Sequence, residues 1–558
     1  MMLGLRKKIP VAILIGLALS AGCSDDPVTP SNDPPVGLAA AATGSTTINV
    51  TWTASTGVTQ YVLERAEGAT GTFAEINRPA SSATSYSDTG LNPTVLYRYR
   101  IAAVRSAGTS TFSAEASATT QAPGLVNVTT DITANTTWTR GNVYNVVGFR
   151  KVASGATLTI EPGTKITGDF ATVGSSLFVL RGARIIADGT SALPIVFTSA
   201  QAAGSRAPGD WGGLIIVGNG IINRSGLVNV EGTGTSTENP FVAYSGGNNN
   251  ADNSGTLRYV RVEYAGFGPA PNAELNSFTF AAVGSGTIVD FVQSLNGLDD
   301  SFEFFGGALD GKHLVSYESG DDHFDMAEGY TGRLQFLIAF QSRVLVPRPL
   351  AGNTSTDPQG IENDGCNGGG CDLNFNSAPF TTPVIANFTL VGTGPGVVPA
   401  AGGYGAILRR GTGGHYVNGI MARWQTAGIG YRDADTKARE TAGVLSIKNV
   451  FIAETPLALE AGQQAYDLAG NAVIFDQATT AASMFALLPA SPTTAATTGA
   501  SFDWSLTAGA AARTGGLAAF TGDLLTRAGA VVAGTTYRGA WDPAGAKWWE
   551  GWTAYSRN

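Results

Sequence analysis

Two stretches of this sequence are nearly alike and lie 22 residues apart. The first, DDSFEFFGG, begins at Asp299, and the second, DDHFDMAEG, begins at Asp321. Phe302 in the first stretch therefore corresponds to Phe324 in the second. A short fixed period is typical of a chain that winds into stacked coils, because each coil buries its apolar side against its neighbours. The repeat predicts a solenoid rather than a globular sandwich.

The repeat extends to apolar positions on both sides of these stretches. Two inward-facing stacks are predicted at the same spacing: Val292, Leu314 and Phe336, and Phe280, Phe302, Phe324 and Val346. Val260 aligns with Val292 at a spacing of 32, where the loop FGPAPNAELN supplies the extra residues. Short apolar runs such as DWGGLIIVGNGIIN are interrupted by Gly, Asn and Asp, with no helical periodicity. The coils are therefore predicted to be built from short β-strands.

Composition excludes several other classes of protein. The 558 residues include 73 glycines and are 43% hydrophobic and only 14% charged, which fits neither a disordered chain nor a coiled coil. The net charge of −9, from 34 basic and 43 acidic residues, argues against a nucleic-acid partner. Glycine-rich turns are so frequent that no GxGxxG match indicates nucleotide binding. We expect neither nucleic acid nor nucleotide as a partner.

Residues 35–121 differ from the rest and alternate with period 2, as half-buried strands do. The alternation places these residues on inward faces: Ile48, Val50 and Trp52, and later Tyr97, Tyr99 and Ile101. With Trp52, the YVLER strand, and Leu91 followed by Tyr97 and Tyr99, this stretch resembles a fibronectin type III domain. The resemblance implies a β-sandwich that serves as a spacer or adhesive module.

Residues 122–558 resemble bacterial surface lipoproteins with a right-handed parallel β-helix of the pectate-lyase-like class. The motifs that carry the resemblance are LTIEPG, LPIVFTSA, DWGGLIIVG, GDDHFDMAEG and the end TTYRGAWDPAGAKWWEGWTAY. The predicted fold is thus all-β, a fibronectin type III sandwich followed by a β-helix solenoid. Trp541, Trp548, Trp549 and Trp552 crowd the end of the chain. We expect them to cap the open end of the solenoid, although such clusters also stack on sugar rings.

The N-terminus reads as an export signal. A basic segment with Arg6, Lys7 and Lys8 precedes the apolar run VAILIGLALSAG, which stops at Cys23. This arrangement resembles a bacterial lipoprotein signal, which implies a signal peptide over 1–22, a diacylated Cys23 and a flexible linker over 23–34. Ser24 after the cysteine favours the outer membrane, so the expected location is the cell surface, with the lipid anchor in the membrane. Ordinary signal cleavage beside an incidental cysteine is the alternative.

The acidic repeat is the strongest candidate site. Because coils stack about 4.8 Å apart, three carboxylate pairs are predicted: Asp299 with Asp321, Asp300 with Asp322, and Glu303 with Asp325. Strand alternation would turn four side chains outward: Ser301, Glu303, His323 and Asp325. Carboxylates this close repel, so a Ca²⁺ ion, an arginine such as Arg343, or a proton is expected between them. A solvated acidic face and a glycan-binding or catalytic groove are the other interpretations.

Two cysteines remain after Cys23. Cys366 and Cys371 flank NGGG in a loop, and in an exported protein they predict a disulfide that closes this loop. Glu362, Asp364 and Asp372 border it and are candidates for a second cation or ligand site. His313, His323 and His415 lack metal-ligand spacing, and no GxSxG lies near a triad, so no catalytic residue is assigned.

The expected function is a surface-anchored, non-enzymatic lipoprotein whose β-helix binds a glycan or another surface protein. A polysaccharide lyase or hydrolase is the main rival, because pectate-lyase-like enzymes hold Ca²⁺ on acidic residues beside a basic residue. The acidic role would fall to Asp299, Asp321, Asp322 and Asp325. No basic residue is well placed beside them in the sequence. A purely structural surface protein is the third interpretation.

Overall fold

The computed structural model describes residues 32–270, 273–355, 358–398, 402–488 and 502–556. The predicted signal peptide over 1–22, Cys23 and most of the linker over 23–34 lie outside the described residues. The chain forms two compact units that divide between Gln121 and Ala122. Across the described residues, no helix has the length and apolarity needed to cross a membrane.

The first unit is an antiparallel β-sandwich, as the alternation predicted. Its strands are β1 (Ala39–Ala42), β2 (Thr47–Thr51), β3 (Gln60–Glu67), β4 (Ala74–Asn77), β5 (Ser85–Thr89), β6 (Leu96–Arg105), β7 (Gly108–Thr109) and β8 (Ala116–Thr119). One sheet has the order β1-β2-β5, and the other has the order β4-β3-β6-β7 with β8 also paired to β6. Trp52, Tyr61 and Tyr99 are buried between the sheets. Large apolar side chains at alternate strand positions are thus buried and form the predicted core.

The second unit is a parallel β-helix with two long sheets. The larger sheet contains β9 (Gly124–Val128), β10 (Thr136–Trp138), β11 (Asn142–Val146), β13 (Thr157–Ile160), β14 (Lys165–Gly168), β16 (Arg184–Asp188), β17 (Ile195–Ser199), β19 (Gly255–Glu263), β21 (Ile288–Gly297), β23 (Asp310–Ser319), β25 (Arg333–Phe340), β27 (Val384–Val391), β29 (Gly414–Val417), β30 (Ile420–Ala422), β32 (Leu445–Lys448), β33 (Phe451–Ala453) and β34 (Ile474–Asp476). The smaller sheet contains β12 (Phe149–Val152), β15 (Ser176–Val179), β18 (Gly213–Val217), β20 (Phe278–Ala281), β22 (Phe302–Phe305), β24 (Phe324–Ala327), β26 (Ile361–Asp364), β28 (Tyr404–Arg409) and β31 (Ala427–Tyr431). This unit also contains the antiparallel pair β35 (Phe485–Leu487) and β36 (Asp503–Leu506), the helices α1 (Ala434–Thr441), α2 (Ala481–Met484) and α3 (Gly522–Ala528), and two short 3₁₀ helices, Asn374–Asn376 and Ala511–Arg513. The predicted all-β solenoid is confirmed.

The coil register follows the predicted repeat near its centre. Val292 pairs with Val260 and Leu314, and Phe302 pairs with Phe324, as the spacing predicted. The Phe302 and Phe324 rings stack inside the coil with centroids 5.3 Å apart. Stacked rings of this kind bury a large apolar area without gaps in the core.

Away from the centre, the predicted 22-residue register is wrong. Phe302 pairs on its other side with Phe278 rather than Phe280, and Leu314 pairs with Leu337 rather than Phe336. Val346 is 76% exposed and belongs to no strand. Coil length changes with each turn, so a fixed period fails as soon as one turn gains or loses a residue.

The long strands of the larger sheet bend where aromatic residues stack. Tyr259, Phe291, His313 and Phe336 have positive φ angles between 48° and 66°. Their rings form a ladder, with centroids 4.5 Å apart for Tyr259–Phe291 and 4.2 Å apart for Phe291–His313. Positive φ is unfavourable for such bulky residues, and stacking between coils helps to hold it.

The aromatic end of the chain covers the flank of the β-helix, which corrects the predicted end cap. Trp549 and Trp552 are buried against outward-facing apolar side chains of the larger sheet: Leu295, Tyr317, Ile338 and Phe340. Gln293 Nε2 donates a hydrogen bond to the carbonyl of Ala554 at 2.6 Å. These strands carry apolar residues on both faces, so their outer face needs a cover in the middle of the solenoid rather than at its end.

Candidate acidic groove

The acidic side chains are brought together by three neighbouring strands of the smaller sheet. In β22, β24 and β26, Glu303 pairs with Asp325, and Asp325 pairs with Glu362. The turns before β22 and β24 contribute the pairs Asp299–Asp300 and Asp321–Asp322. Parallel strands keep equivalent residues in line from coil to coil. The stacking therefore concentrates carboxylates on one side of the coils.

Three overlapping groups of carboxylates are compact enough to share a cation. Within each group, one oxygen per residue lies within 4.8 Å of the others: Asp299, Asp300 and Asp321; Asp300, Glu303 and Asp325; Asp322, Asp325 and Glu362. All six residues singled out in the sequence belong to these groups. Glu362 is an additional member, contributed by the next coil.

Five of these residues, Asp299, Asp300, Glu303, Asp321 and Asp325, line a groove with a volume of about 870 Å³. Its walls include two further carboxylates, Glu231 and Glu274, which come from the long segment between β18 and β20. Residues 350 and 352–355 line the groove as well, including the polar side chains of Asn353 and Thr354. Within the described part of the chain, its lining contains no Lys, Arg or His. Seven carboxylates thus surround one open volume.

Hydrogen bonds fix part of this cluster. Asp300 Oδ1 accepts a hydrogen bond from the Asp322 backbone N–H at 2.8 Å, and Glu303 accepts one from the Asn276 amide. By contrast, Asp325 Oδ1 is buried and has no hydrogen-bond partner among the residues that the structure describes. A buried acceptor without a donor is costly, and a bound cation would satisfy it.

Burial strongly perturbs the acidities. It raises the pKa of Asp299 and Asp300 well above the ordinary value, and neighbouring carboxylates, Asp321 beside Asp299 and Asp299 beside Asp300, raise them further. The same causes raise the pKa of Glu303 and Asp325. The pKa of Glu231 rises to about 7, mainly through burial and then through Glu274. Such shifts mean that the groove holds its negative charge at a cost unless protons or cations neutralise it.

The prediction that Ser301 and His323 face outward is wrong. Both residues are buried and bond to Ser316, with its Oγ lying 2.7 Å from Ser301 Oγ and 2.5 Å from His323 Nδ1. They lie immediately before the first residues of β22 and β24, so the alternation within those strands does not apply to them. Burial lowers the pKa of His323 to about 3, which keeps the ring neutral.

The sequence also suggested partners that the structure places elsewhere. Arg343 donates a hydrogen bond to Asn296 rather than bridging the acidic pairs. Asp364 forms ion pairs with Arg409 and Arg410. Asp372 accepts a hydrogen bond from Ser225 at 2.7 Å. The expected second cation site of Glu362, Asp364 and Asp372 therefore does not form, because Glu362 belongs to the first cluster and Asp364 is neutralised.

The structure joins Cys366 and Cys371 in a disulfide. The closed loop lies against the segment around Arg224, whose Nε donates a hydrogen bond to the carbonyl of Gly369 at 2.7 Å. Arg224 also pairs with Glu328. The loop is thus held by its own disulfide and by the hydrogen bond from Arg224.

A parallel β-helix with an acidic groove on one side, following a β-sandwich, defines the class of this protein. The family model described as "Pectate-lyase like beta helix domain" matches residues 130–505, and the chain belongs to this family. The fibronectin type III domain model matches residues 33–119. This combination supports a surface or carbohydrate-related role.

Two solved structures that resemble this chain match less than a fifth of its length. An Fn3-like protein from Clostridium thermocellum is 32% identical, covers 17% of this chain and 99% of its own, and has a TM-score of 0.15. The fn3 domain of human collagen α-1(XX) is 25% identical, covers 19% of this chain and 94% of its own, and has a TM-score of 0.16. Neither likeness carries an argument about function. No curated protein matches the chain.

Proposed function

We propose that this protein is a surface-anchored lipoprotein that binds glycans in the acidic groove through a divalent cation, without cleaving them. One observation carries the proposal: seven carboxylates line one open groove of about 870 Å³. Carboxylates packed this closely repel one another, and burial adds to that cost. A ligand that brings positive charge relieves both.

The donor atoms favour Ca²⁺ over a transition metal. Each of the three compact groups offers only carboxylate oxygens, with no histidine or cysteine among them. Hard oxygen donors in adaptable positions suit Ca²⁺, which takes six to eight of them. Asp300 and Asp325 each belong to two groups, so an ion at either position would draw on them. Asp325 Oδ1, buried without a donor among the described residues, supports the same assignment.

The size of the groove supports a glycan rather than an ion alone. A bound cation would occupy a small part of about 870 Å³. Sugar hydroxyl and carboxylate oxygens complete the coordination of protein-bound Ca²⁺ readily, and Asn353 and Thr354 add polar contacts along the wall. Another surface protein with an acidic or hydroxyl-rich segment remains the alternative partner.

Binding without lyase cleavage is favoured because the charged side chains that line the described part of the groove are all carboxylates. The lyase alternative needs a basic side chain beside the sugar, and the described lining has no Lys, Arg or His. Arg409 lies outside the lining, although its charge acts on Asp325. Its guanidinium forms ion pairs with both Glu362 and Asp364. An arginine paired in this way stays protonated and is a poor base.

Thermal melting of the full-length protein tests cation binding. Binding to the folded state alone stabilises it by about 2.7 kcal/mol at a hundredfold excess of free ion over the dissociation constant. Millimolar Ca²⁺ should therefore raise the melting temperature above that in EDTA. Asp325→Asn, and separately Asp321→Asn with Asp322→Asn, should abolish the response, whereas the exposed control Asp542→Asn should retain it. Identical curves in EDTA and Ca²⁺ would rule out the cation.

A panel of polysaccharides tests the ligand and the chemistry together. Binding that requires Ca²⁺ and leaves no new reducing or unsaturated ends supports the proposal. Product formation that depends on Asp325 would replace it with the lyase or hydrolase alternative. Absence of any polysaccharide binding in Ca²⁺ would leave a protein ligand or a structural role instead.

A further inference from the structure

A second cleft lies on the flank of the β-helix, apart from the acidic groove. It has a volume of about 530 Å³ and is lined by residues of β29 and β32, by Tyr466 and Asn471, and by residues 521–524 at the start of α3. None of its lining residues is shared with the acidic groove. The cleft therefore needs its own explanation.

Three side chains in this cleft form a continuous hydrogen-bonded relay. Ser446 Oγ lies 2.8 Å from His415 Nδ1, and His415 Nε2 lies 3.0 Å from Asp523 Oδ2. Asp523 Oδ2 also accepts a hydrogen bond from Arg527 Nε at 2.6 Å. Each distance is within the range of a true hydrogen bond. The order is that of a nucleophile, a base and a group that orients the base.

The fold itself aligns the relay. His415 of β29 pairs directly with Ser446 of β32, so the two side chains stand on neighbouring coils and face the same side. Leu524 of α3 packs with Val384 and Val417, which fixes the helix on this flank and brings Asp523 to the far nitrogen of the imidazole. The arrangement thus depends on parts of the chain far apart in sequence.

We propose that this cleft hydrolyses acyl esters of small polar alcohols, with Ser446 as nucleophile, His415 as general base and Asp523 as the residue that positions His415. The relay fits this chemistry because Nε2–H donates to Asp523 and leaves Nδ1 free to take the Ser446 proton. Burial is the main cause that lowers the pKa of His415, so its ring is neutral and able to accept a proton near pH 7. The polar lining, with Lys448, Glu440 and Asn471, favours a polar alcohol.

The reaction balances without a cofactor. Ser446 Oγ bonds to the acyl carbon while its proton passes to His415 Nδ1, and the ester C–O bond breaks as the alcohol leaves with that proton. Water then adds to the acyl-serine and gives a proton to His415, which returns it to Ser446 Oγ as the carboxylic acid leaves. Lys448 lines the cleft two positions after Ser446 on the same face of β32, and we assign its ammonium to stabilise the negative oxygen of each tetrahedral intermediate.

A fluorophosphonate probe tests the nucleophile directly in the full-length wild-type protein. The expected result is one covalent adduct, mapped by mass spectrometry to the peptide that contains Ser446. Ser446→Ala should lose the adduct, whereas the exposed control Ser191→Ala should keep it. A folded wild-type protein that shows no adduct at Ser446 would overturn the proposal, and this measurement does not depend on any variant folding.

Hydrolysis of p-nitrophenyl acetate separates a catalytic relay from a purely structural one. Ser446→Ala and His415→Asn should each lower kcat/KM by about 100-fold or more, the size expected for loss of a nucleophile or general base. Asp523→Asn should lower kcat at least tenfold with little change in KM or melting temperature, because it misorients the imidazole. Equal hydrolysis by wild type and Ser446→Ala would show that these bonds only fasten α3 to the flank.

Discussion

The charge of Glu231, one of the groove carboxylates, should have a measurable effect on the free energy of unfolding. Its pKa is raised from 4.5 to about 7, chiefly by burial. Between these values the folded protein binds more protons than the unfolded chain, so its stability falls as the pH rises. Glu231→Gln removes the ionisable group and therefore this loss of stability at high pH. In buffers without divalent cations, the variant should be more stable than wild type by up to about 3 kcal/mol at pH 8, with little difference at pH 4.

Denaturant titrations at the two pH values measure this effect. Glu238→Gln is the matched control, because Glu238 lies in the same long segment but is exposed. Its stability should follow that of the wild type at both pH values. A Glu231→Gln variant whose advantage is the same at pH 4 and pH 8 would contradict the pKa shift as the cause.

Individual site residues were predictable only where the repeat is regular. Glu303 and Asp325 occupy equivalent places in successive coils at the 22-residue spacing of the repeat, so spacing alone paired them. Glu231 and Glu274 come from a long segment without a repeat, and nothing in the sequence says which coil it folds over. Glu362 was visible as an acidic residue but not as a neighbour of Asp325, because a long excursion separates β24 from β26.

The relay in the second cleft had no local signal at all. His415 and Ser446 are 31 residues apart, and Asp523 follows His415 by 108. No motif spans such distances. A coil length measured from the neighbouring strands would have aligned His415 with Ser446, but the return of α3 to this flank depends on packing that only the fold reveals.

At the scale of elements, the disulfide should stabilise its loop more than the solenoid. Cys366 and Cys371 close a short loop just after β26. Replacing both with serine should lower the free energy of unfolding by about 2 kcal/mol, since short loops lose little entropy on closure. Limited proteolysis should cut first between residues 366 and 371 in the variant, while the wild type resists.

Two measurements check this expectation. Peptide mapping of wild-type protein purified without reductant should find the two cysteines linked, and free thiols at both positions would contradict the prediction. The melting temperature of the double-serine variant should fall only slightly. A large fall would show that the loop is part of the solenoid core. Because Gly369 accepts a hydrogen bond from Arg224, we expect a small fall in the melting temperature and a loosening confined to the loop.

At the scale of the whole molecule, the aromatic tail shows what sequence can and cannot indicate. Its tryptophans signal a need for an apolar surface, and that much was predictable. Which surface they cover depends on residues such as Leu295 and Tyr317, which face outward from strands that are apolar on both sides. A strand that is apolar on both faces is predicted only to be buried. The sequence therefore did not indicate whether the tail covers the flank or the end of the solenoid.

The last prediction is that a lipid on Cys23 attaches the whole protein to a membrane. Cys23, preceded by a basic segment and an apolar run, is expected to carry the lipid that anchors both units. Cys23→Ser should move the protein from the membrane fraction to the soluble fraction and stop the incorporation of labelled palmitate. The double replacement of Cys366 and Cys371 with serine is the matched control, because it removes two cysteines yet should keep label and location. Retention of the Cys23→Ser protein in the membrane, together with an unlabelled wild type, would favour an incidental cysteine and another means of attachment.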